Sequence, residues 1–255
     1  LRLGLRLIRG LREEEATVLV NARAQASAYR DISELQERTG LKRSALERLA
    51  RADAFQSLGL DRRQALWAVK GLADAPVLPL FQQLSSGDAH PEPAVTLPKM
   101  QIGEQVTDDY LSIKLSLKAH PMALLRSRFD TEGVTPCVTL ADIAVGSIVD
   151  VAGIVLIRQR PGSAKGVTFI TIEDETGVAN LIIWPDRMEK FRQVVLGGRL
   201  IGVRGQGQGE GIVTHIVSET LVDYSHRLSY LTSRSVPVSD DKTVGRLFPT
   251  SRDFH

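Results

Sequence analysis

The chain of 255 residues contains a single cysteine, Cys137, and its aromatic content is only 5%. One cysteine excludes an intramolecular disulfide and a cysteine-based zinc site, and it favours a reducing, cytoplasmic environment. A run of about 18 apolar residues, which a membrane-spanning helix would need, is also missing. The hydrophobic content of 43% is nevertheless too high for a wholly disordered chain.

Motifs of common enzyme centres are missing as well. There is no glycine-rich phosphate loop ending in Lys-Ser/Thr, no His-Glu-x-x-His and no Gly-x-Ser-x-Gly. Asp108 and Asp109 form a carboxylate pair, but two-metal phosphoryl transfer needs a third carboxylate and a rigid strand to hold it. We therefore predict no catalytic residue, no metal site and no cofactor in this chain.

Charge and proline content divide the chain. Residues 1–74 carry 14 Lys and Arg against 10 Asp and Glu, a modest positive excess of the kind that nucleic-acid-binding regions show. On charge alone, ordinary solvated helix faces are the favoured explanation. We expect an α+β multidomain protein with five parts. They are a helical region at 1–74, an extended linker with five prolines at 75–107, a connecting helical segment at 108–138, a β-barrel at 139–224 and a tail at 225–255.

The helical region is predicted to contain tandem helix-hairpin-helix units. Helical patterns cover residues 13–28, 32–38, 44–54 and 62–69, with Asp61 as the N-cap of the last. Turns at Gly10 and Gly40 precede helices, and Lys42 and Arg43 follow the second turn. Because helix N-termini offer free N–H groups to phosphates, we expect these four residues to contact duplex DNA. Alternatively, each glycine only ends a helix.

The barrel is predicted from an order of strands. Strand patterns cover 148–158, 167–173, 178–184, 200–206 and 212–221. A short helix begins at Pro185, and the glycine-rich stretch 205–211 joins the last two strands. A helix between strands three and four is diagnostic of the oligonucleotide-binding (OB) fold, whereas five strands alone would also fit an SH3-like barrel or half a sandwich.

Basic and aromatic residues of the barrel are candidates for binding a single strand. Arg158, Arg160 and Lys165 would follow the phosphates, and Phe169 and Trp184 would stack on bases. Alternatively, the two aromatic side chains fill the barrel interior, and for Trp184 the interior is the favoured position.

Two further features have weaker explanations. Leu78, Leu80 and Phe81 resemble part of a sliding-clamp-binding peptide, although a linker anchoring apolar side chains on its own domain is the favoured reading. His120 precedes a predicted helix with Pro121 at its first position, so we expect it to cap or pack rather than bind a metal.

Five blocks of the sequence form a recognisable set. They are Gly-Leu-Arg-Leu-Ile-Arg-Gly-Leu at 4–11 and Thr-Ile-Glu-Asp-Glu-Thr-Gly at 171–177, together with residues 52–67, 115–126 and 251–254. These blocks resemble the C-terminal region of bacterial C-family DNA polymerases of the error-prone, translesion branch. The chain begins at Leu1 with a pattern typical of mid-domain sequence, so we expect a fragment of a longer protein.

The resemblance implies a function that the motifs alone do not reveal. It implies the nucleic-acid-binding part of a DNA-directed DNA polymerase used in damage-induced mutagenesis. The catalytic aspartates would lie upstream and use Mg²⁺, and the partners would be DNA, a Y-family-like protein and a RecA-like accessory protein. The alternative is a free-standing OB-fold DNA-binding or scaffold protein without catalysis.

Overall fold

A computed structural model describes residues 3–72, 97–210, 213–232 and 252–254. The chain divides into two compact units. The first is Leu1–Gln101 with Leu111–Lys114, and the second is Ile102–Tyr110 with Leu115–His255. In the described part of the chain, no helix combines the length and the apolar character that crossing a bilayer requires.

The first unit is a small helical domain, as predicted. Its helices are α1 (Glu13–Gln25), α2 (Ile32–Thr39), α3 (Arg43–Arg51) and α4 (Arg62–Gly71). The amphipathic α3 supplies much of the core, because Leu46 and Leu49 are fully buried between the other helices. Asp61 caps α4 as expected, since its carboxylate accepts a hydrogen bond from the Gln64 backbone N–H at 2.8 Å.

Two helices of this unit are shorter than their sequence patterns. Helix α1 ends at Gln25, and the Arg38 guanidinium, which also stacks on Tyr29, binds the carbonyls of Ala22 and Ser27 at this end. Helix α3 ends at Arg51 because Asp53 adopts a left-handed conformation with a φ of 58°. Side-chain capping and one backbone torsion therefore set the ends.

The expected linker differs from the structure where the two can be compared. Residues 75–96 lie outside the described residues, but the linker does not extend to 107, because helix α5 (Ile102–Ile113) begins after its last proline. Helix α6 (Pro121–Thr131) starts at the predicted proline. His120 caps it, since Nδ1 accepts a hydrogen bond from the Met122 N–H at 3.2 Å. The predicted capping role of His120 is thus confirmed.

The second unit contains the predicted five-stranded barrel. Its strands are β1 (Ile148–Gln159), β2 (Thr168–Glu173), β3 (Val178–Ile183), β4 (Leu200–Glu210) and β5 (Val213–Asp223). The sheet order is β2-β3-β5-β4-β1, and pairing of β1 with β2 closes it. Two short helices, α7 (Pro185–Lys190) and α8 (Arg192–Gly197), separate β3 from β4, which confirms the OB topology.

Strand β4 is longer than predicted because it runs through most of the glycine-rich stretch. A Cβ atom at Gly205 would overlap the carbonyl oxygen of Val217 on β5, and one at Gly202 would overlap the Tyr224 ring. These glycines allow neighbouring groups to approach closely within the strand. The extension itself is residues 207–210, which pair in register with β5 from Gly207 with Ile216 to Glu210 with Val213.

The turn between β2 and β3 is tied to helix α6. The fully buried Asp174 carboxylate accepts hydrogen bonds from the N–H groups of Cys137, Thr176 and Gly177. Arg126 of α6 forms ion pairs with Asp174 at 2.9 Å and with Glu175 at 2.5 Å. Two of the blocks that carry the sequence resemblance, 115–126 and 171–177, therefore meet at one junction.

The tail contains two described elements. A 3-10 helix, Ser225–Leu231, follows β5, and strand β6 (Arg252–Phe254) pairs in parallel with Ile157–Gln159 of β1. The tail was expected to lie outside the barrel, whereas β6 adds a sixth strand to its sheet.

Candidate nucleic-acid interface

Three turns of the helical unit share one geometry. Gly10, Gly40 and Gly59 have φ values of 78°, 62° and 73°, and a leucine and an N-cap residue follow each glycine. The third turn was missed by sequence reasoning, although the repeated order Gly-Leu-cap is visible in the sequence. The caps differ in charge, so the three helix N-termini differ in what they can bind.

The first and third N-termini already carry carboxylates. The first turn of α1 consists of three glutamates, and Glu15 accepts a hydrogen bond from the Arg12 N–H at 2.9 Å. The Arg48 side chain lies beside Gly10, with Nε 3.4 Å from where a Cβ would stand. In α4, the Asp61 carboxylate occupies the equivalent place. A phosphate would be repelled by the carboxylates at both positions, which argues against the expected role of Gly10.

The turn at Gly40 has the features that a phosphate needs. Among the described residues, nothing lies within 4 Å of a Cβ placed on Gly40, and no side chain caps α3. The cap residue is the exposed Lys42, and the first turn of α3 carries no acidic residue. Arg43 is placed differently, because its half-buried guanidinium donates to the Leu72 carbonyl and so holds α4.

In the barrel, Arg158 is directed inward. It stands opposite Ile170 of β2, whose side chain is buried, so both residues belong to the inner face. Its Nε donates to the Val195 carbonyl at 2.5 Å, and its guanidinium also reaches the Gly198 carbonyl. The guanidinium thus satisfies carbonyls at the C-terminal end of α8, where a cation is favoured. This position argues for a structural role.

The expected aromatic residues lie on the outer face of the barrel. Phe169 is half-buried, between the buried Thr168 and Ile170, and it stands in register with Gln159 of β1 and Ile182 of β3. Trp184 continues the alternation of β3 in an extended conformation and is 51% exposed. The favoured expectation that Trp184 fills the interior is therefore wrong.

The loop after β1 brings Arg160 close to the start of α7, which directly follows Trp184. Arg160 and Lys165 are both exposed. A Cβ on Gly166 would lie 3.5 Å from the Arg160 Nη2 and 3.5 Å from Cγ of Pro185, the residue after Trp184. Gly166 itself has a φ of 89°, a conformation that favours glycine. We call Arg160, Lys165, Phe169 and Trp184 the outer patch.

Polar side chains continue the outer face beyond this patch. The Thr171 hydroxyl donates to Oδ1 of Asn180 at 2.8 Å, and His215 of β5 stands in register with Asn180. All three residues are half-buried. The sequence alone did not reveal this group, because its residues lie on three different strands and only the pairing of those strands places them on one face.

The remaining candidates do not form a reactive centre. Asp109 is buried, and its carboxylate accepts hydrogen bonds from the Ser116 hydroxyl at 2.8 Å and the Lys118 ammonium at 3.4 Å. Burial raises the pKa of Cys137 to about 12. No group of three His, Cys, Asp or Glu side chains suited to a metal occurs among the described residues. The clamp-like residues Leu78, Leu80 and Phe81 lie outside those residues.

Two protein families match separate parts of the chain. The helix-hairpin-helix motif matches residues 1–65, and the OB-fold nucleic acid binding domain matches residues 143–209. The first match covers the helical domain as far as the start of α4, and the second covers the barrel from β1 into β4. Together they confirm the predicted fold class.

Full-length relatives match almost the whole chain. Error-prone DNA polymerase 1 of Rhizobium meliloti is 47% identical over 254 residues, which cover 98% of this chain and 23% of that protein. The error-prone DNA polymerase of Ruegeria pomeroyi is 45% identical over 276 residues, which cover 100% and 24%. The chain thus spans about a quarter of the length of these relatives.

Solved structures are much less similar. The asparaginyl-tRNA synthetase of Pyrococcus horikoshii is 21% identical with a TM-score of 0.32, over 36% of this chain and 23% of that one. This likeness is too weak to carry an argument. The resemblance predicted from the sequence blocks is confirmed by the polymerase relatives.

Proposed function

Because this chain is homologous to about a quarter of the length of bacterial error-prone DNA polymerases, we propose that it is the part of such a polymerase that holds DNA. The observation that carries the proposal is the outer patch, which combines an exposed tryptophan after β3 with two exposed cations in the loop after β1 of an OB barrel. An OB barrel uses this combination to hold a single strand.

The barrel would hold the single-stranded template. The rings of Trp184 and Phe169 would stack on bases, which every base permits, so binding would tolerate any sequence. Arg160 and Lys165 would follow the phosphates on either side of the stacked bases. An error-prone polymerase needs such sequence-independent contacts, because the template it copies varies.

The helical unit would hold duplex DNA through the turn at Gly40. The open glycine lets a phosphate approach the uncapped end of α3, and the Lys42 ammonium adds a positive charge. Arg43 would support this turn from within the domain through Leu72. Such contacts address the phosphate backbone and are independent of base sequence.

Nucleotidyl transfer itself would use residues outside this chain. We propose that the catalytic aspartates and their Mg²⁺ ions belong to another part of the polymerase, and that the whole enzyme acts in translesion synthesis after DNA damage. A Y-family-like protein and a RecA-like accessory protein would be its partners in the cytoplasm. Leu78, Leu80 and Phe81 would add a weak contact with the sliding clamp.

Salt titration tests the outer patch. A fluorescent oligonucleotide is titrated with the wild-type chain and with an Arg160→Ala, Lys165→Ala double variant. The double variant should bind more weakly, and its plot of log affinity against log salt should be flatter by ~0.7 per lost phosphate contact. The control is Arg204→Ala on β4, which removes a cation that pairs with Asp150 of β1. Unchanged affinity and slope in the double variant would exclude this loop as the contact.

Duplex binding tests the turn at Gly40. Lys42→Ala should weaken binding of a blunt duplex and reduce the salt slope by ~0.9. The matched control is Arg30→Ala, because Arg30 is exposed, belongs to the same unit and pairs with Glu34 away from the turn. If both variants lose affinity equally, the effect is one of net charge, and the Gly40 turn is only a helix connector.

A further inference from the structure

The outer edge of β1 changes partner halfway along the strand. Strand β4 pairs with β1 from Ile148 to Ile154, and the last bond on this side runs from the Val155 N–H to the Arg199 carbonyl. The register with β2, on the other side, shifts between Val155 and Ile157. Beyond this shift, β1 continues toward the basic loop, the loop after β1 that carries Arg160 and Lys165. The backbone edge of β1 that faced β4 is no longer paired with β4 there.

An open edge of this kind must be satisfied. Backbone N–H and C=O groups at a sheet edge pair with water or with another strand, and an exposed edge is a template for strand addition. Among the described residues, strand β6 takes this place, pairing with Ile157, Arg158 and Gln159. The C-terminal block 251–254, one of the blocks that carry the sequence resemblance, thus includes a strand of the barrel sheet.

We infer that the edge of β1 at Ile157–Gln159 is a docking site for the chain's own C-terminal strand, and that this docking positions the basic loop of the outer patch. Gln159 is the last residue of β1, and Arg160 follows it directly. Gln159 pairs with Phe169 on one side and with Phe254 on the other. Strands on both sides therefore fix the backbone from which the loop departs.

The consequence for DNA binding follows from preorganisation. Arg160 and Lys165 can hold the phosphates of a strand stacked on Trp184 only if the loop keeps a fixed position, and ordering a loop at the moment of binding reduces affinity. A paired β1 end removes part of this cost before DNA arrives. This inference rests on the proposed single-strand binding, but the docking itself can be measured without DNA.

Hydrogen exchange measures the docking directly. A chain ending at Ser251 lacks β6 but keeps the helical unit and the five barrel strands. Those of its amides at 157–159 that point toward β6 should exchange faster than in the full chain, while those at 149–154 that point toward β4 should not change. Adding a peptide of residues 244–255 should restore protection, and a scrambled peptide should not. Unchanged exchange at 157–159 would overturn the docking.

A double-mutant cycle then tests the positioning role. Truncation at Ser251 should weaken binding of a single-stranded oligonucleotide several-fold in the wild-type background. In the Arg160→Ala, Lys165→Ala background, it should have no further effect, because the residues it positions are gone. Equal losses in both backgrounds would show that β6 contributes by another route, and the positioning role would be wrong.

The two proposals fail in different ways. If the full chain binds no single-stranded DNA, the proposed function of the outer patch is wrong, yet exchange at 157–159 still reports on the docking. Thermal unfolding of the truncated chain, followed by circular dichroism, shows whether the barrel remains folded. Even where the truncated chain melts at a lower temperature than the full chain, the exchange result can be interpreted. If the added peptide restores slow exchange at 157–159, the faster exchange was still caused by the loss of β6.

Discussion

At the scale of single residues, Trp184 is the clearest candidate for a contact with bases. Trp184→Ala should lower the affinity for single-stranded DNA by ~1–3 kcal/mol, the value of one base stacked on an aromatic ring. Folding should change little, because about half of the side chain is already in water. Fluorescence anisotropy with a labelled oligonucleotide measures the affinity.

Val178 provides the control for this experiment. It lies at the opposite end of the same strand and is 54% exposed. Val178→Ala should leave the affinity unchanged. In a Trp67→Phe background, Trp184 is the sole tryptophan, and DNA should quench its fluorescence. A fluorescence spectrum that does not respond to saturating DNA would contradict the stacking.

His120 gives the second unit a dependence on pH. Burial lowers the pKa of His120 below its ordinary 6.5, although Glu173, Glu175 and Asp174 oppose this shift. The unfolded chain therefore takes up the proton first as the pH falls. The stability is complete above 6.5 and declines as the pH falls through the lowered folded-state pKa.

The variant His120→Asn should reduce this decline. Asparagine can still cap α6 through its side-chain oxygen, but it does not titrate. Urea unfolding at a series of pH values should show a weaker loss of stability between about pH 7 and 5 than in the wild type. A decline remains at lower pH, because hydrogen bonds from Thr176, Cys137 and Gly177 outweigh burial and lower the pKa of Asp174 below 3.8. Identical pH profiles would exclude His120 as the titrating group.

Residue types were easier to predict than the direction of each side chain. The basic and aromatic candidates of the barrel were chosen correctly as a set, but Arg158 points inward and Trp184 outward. Strand alternation alone allows either set of alternate residues to face the barrel interior. The register shift between Val155 and Ile157 changes which set faces inward along β1. Only the pairing of β1 with β2 decides which residues share the outer face.

At the scale of elements, the junction of Arg126 with the β2–β3 turn should be important for stability. Arg126→Ala leaves the buried Asp174 without its ion-pair partner, and breaking such a pair costs about 3–5 kcal/mol. We expect a loss near the lower end, because Asp174 keeps its backbone hydrogen bonds. Chemical denaturation of the whole chain, monitored by circular dichroism, measures the loss.

Arg128 on the same helix is the matched control. Its guanidinium lies 4.4 Å from the centre of the Tyr230 ring, and both side chains are exposed. Arg128→Ala should cost no more than about 1 kcal/mol, as exposed cation–π contacts do. Comparable losses for the two arginines would mean that the junction adds nothing beyond an ordinary surface contact.

Element types followed from the sequence, whereas several boundaries did not. Apolar spacing predicted α2, α4 and the first three strands closely. Strand β4 was cut short at its glycines, because glycine is typical of turns unless a neighbouring backbone approaches closely. Strand β6 carries no pattern of its own, since three residues cannot show alternation. Both errors concern contacts between segments distant in the sequence.

At the scale of the whole molecule, the chain should bind DNA without extending it. We predict no primer extension by the purified chain with Mg²⁺ and all four deoxynucleotides. Asp109 cannot readily bind a metal, because Ser116 and Lys118 already hold its carboxylate. Template-dependent extension that disappears in Asp109→Asn would show that the active site lies within this chain.

The order of the helical and barrel units was predictable because the spacing of apolar residues differs between them. Helical spacing changes to strand alternation once along the chain, and a proline-rich stretch precedes the change. The attachment of 115–131 to the barrel unit could not be foreseen, since it depends on Arg126 reaching a turn far away in the sequence. A change in composition marks the boundary of a domain only if no contact between distant segments joins the residues on its two sides.

Barrel closure also has a consequence for synthesis on the ribosome. Strands β1, β2 and β3 can pair as soon as they emerge, but β1 and β3 receive their other partners only from β4 and β5. At roughly 5–20 residues per second, the nascent three-stranded sheet waits for several seconds with its apolar side uncovered. During this interval, Ile170, Ile172 and Leu181 are available to chaperones and to neighbouring nascent chains.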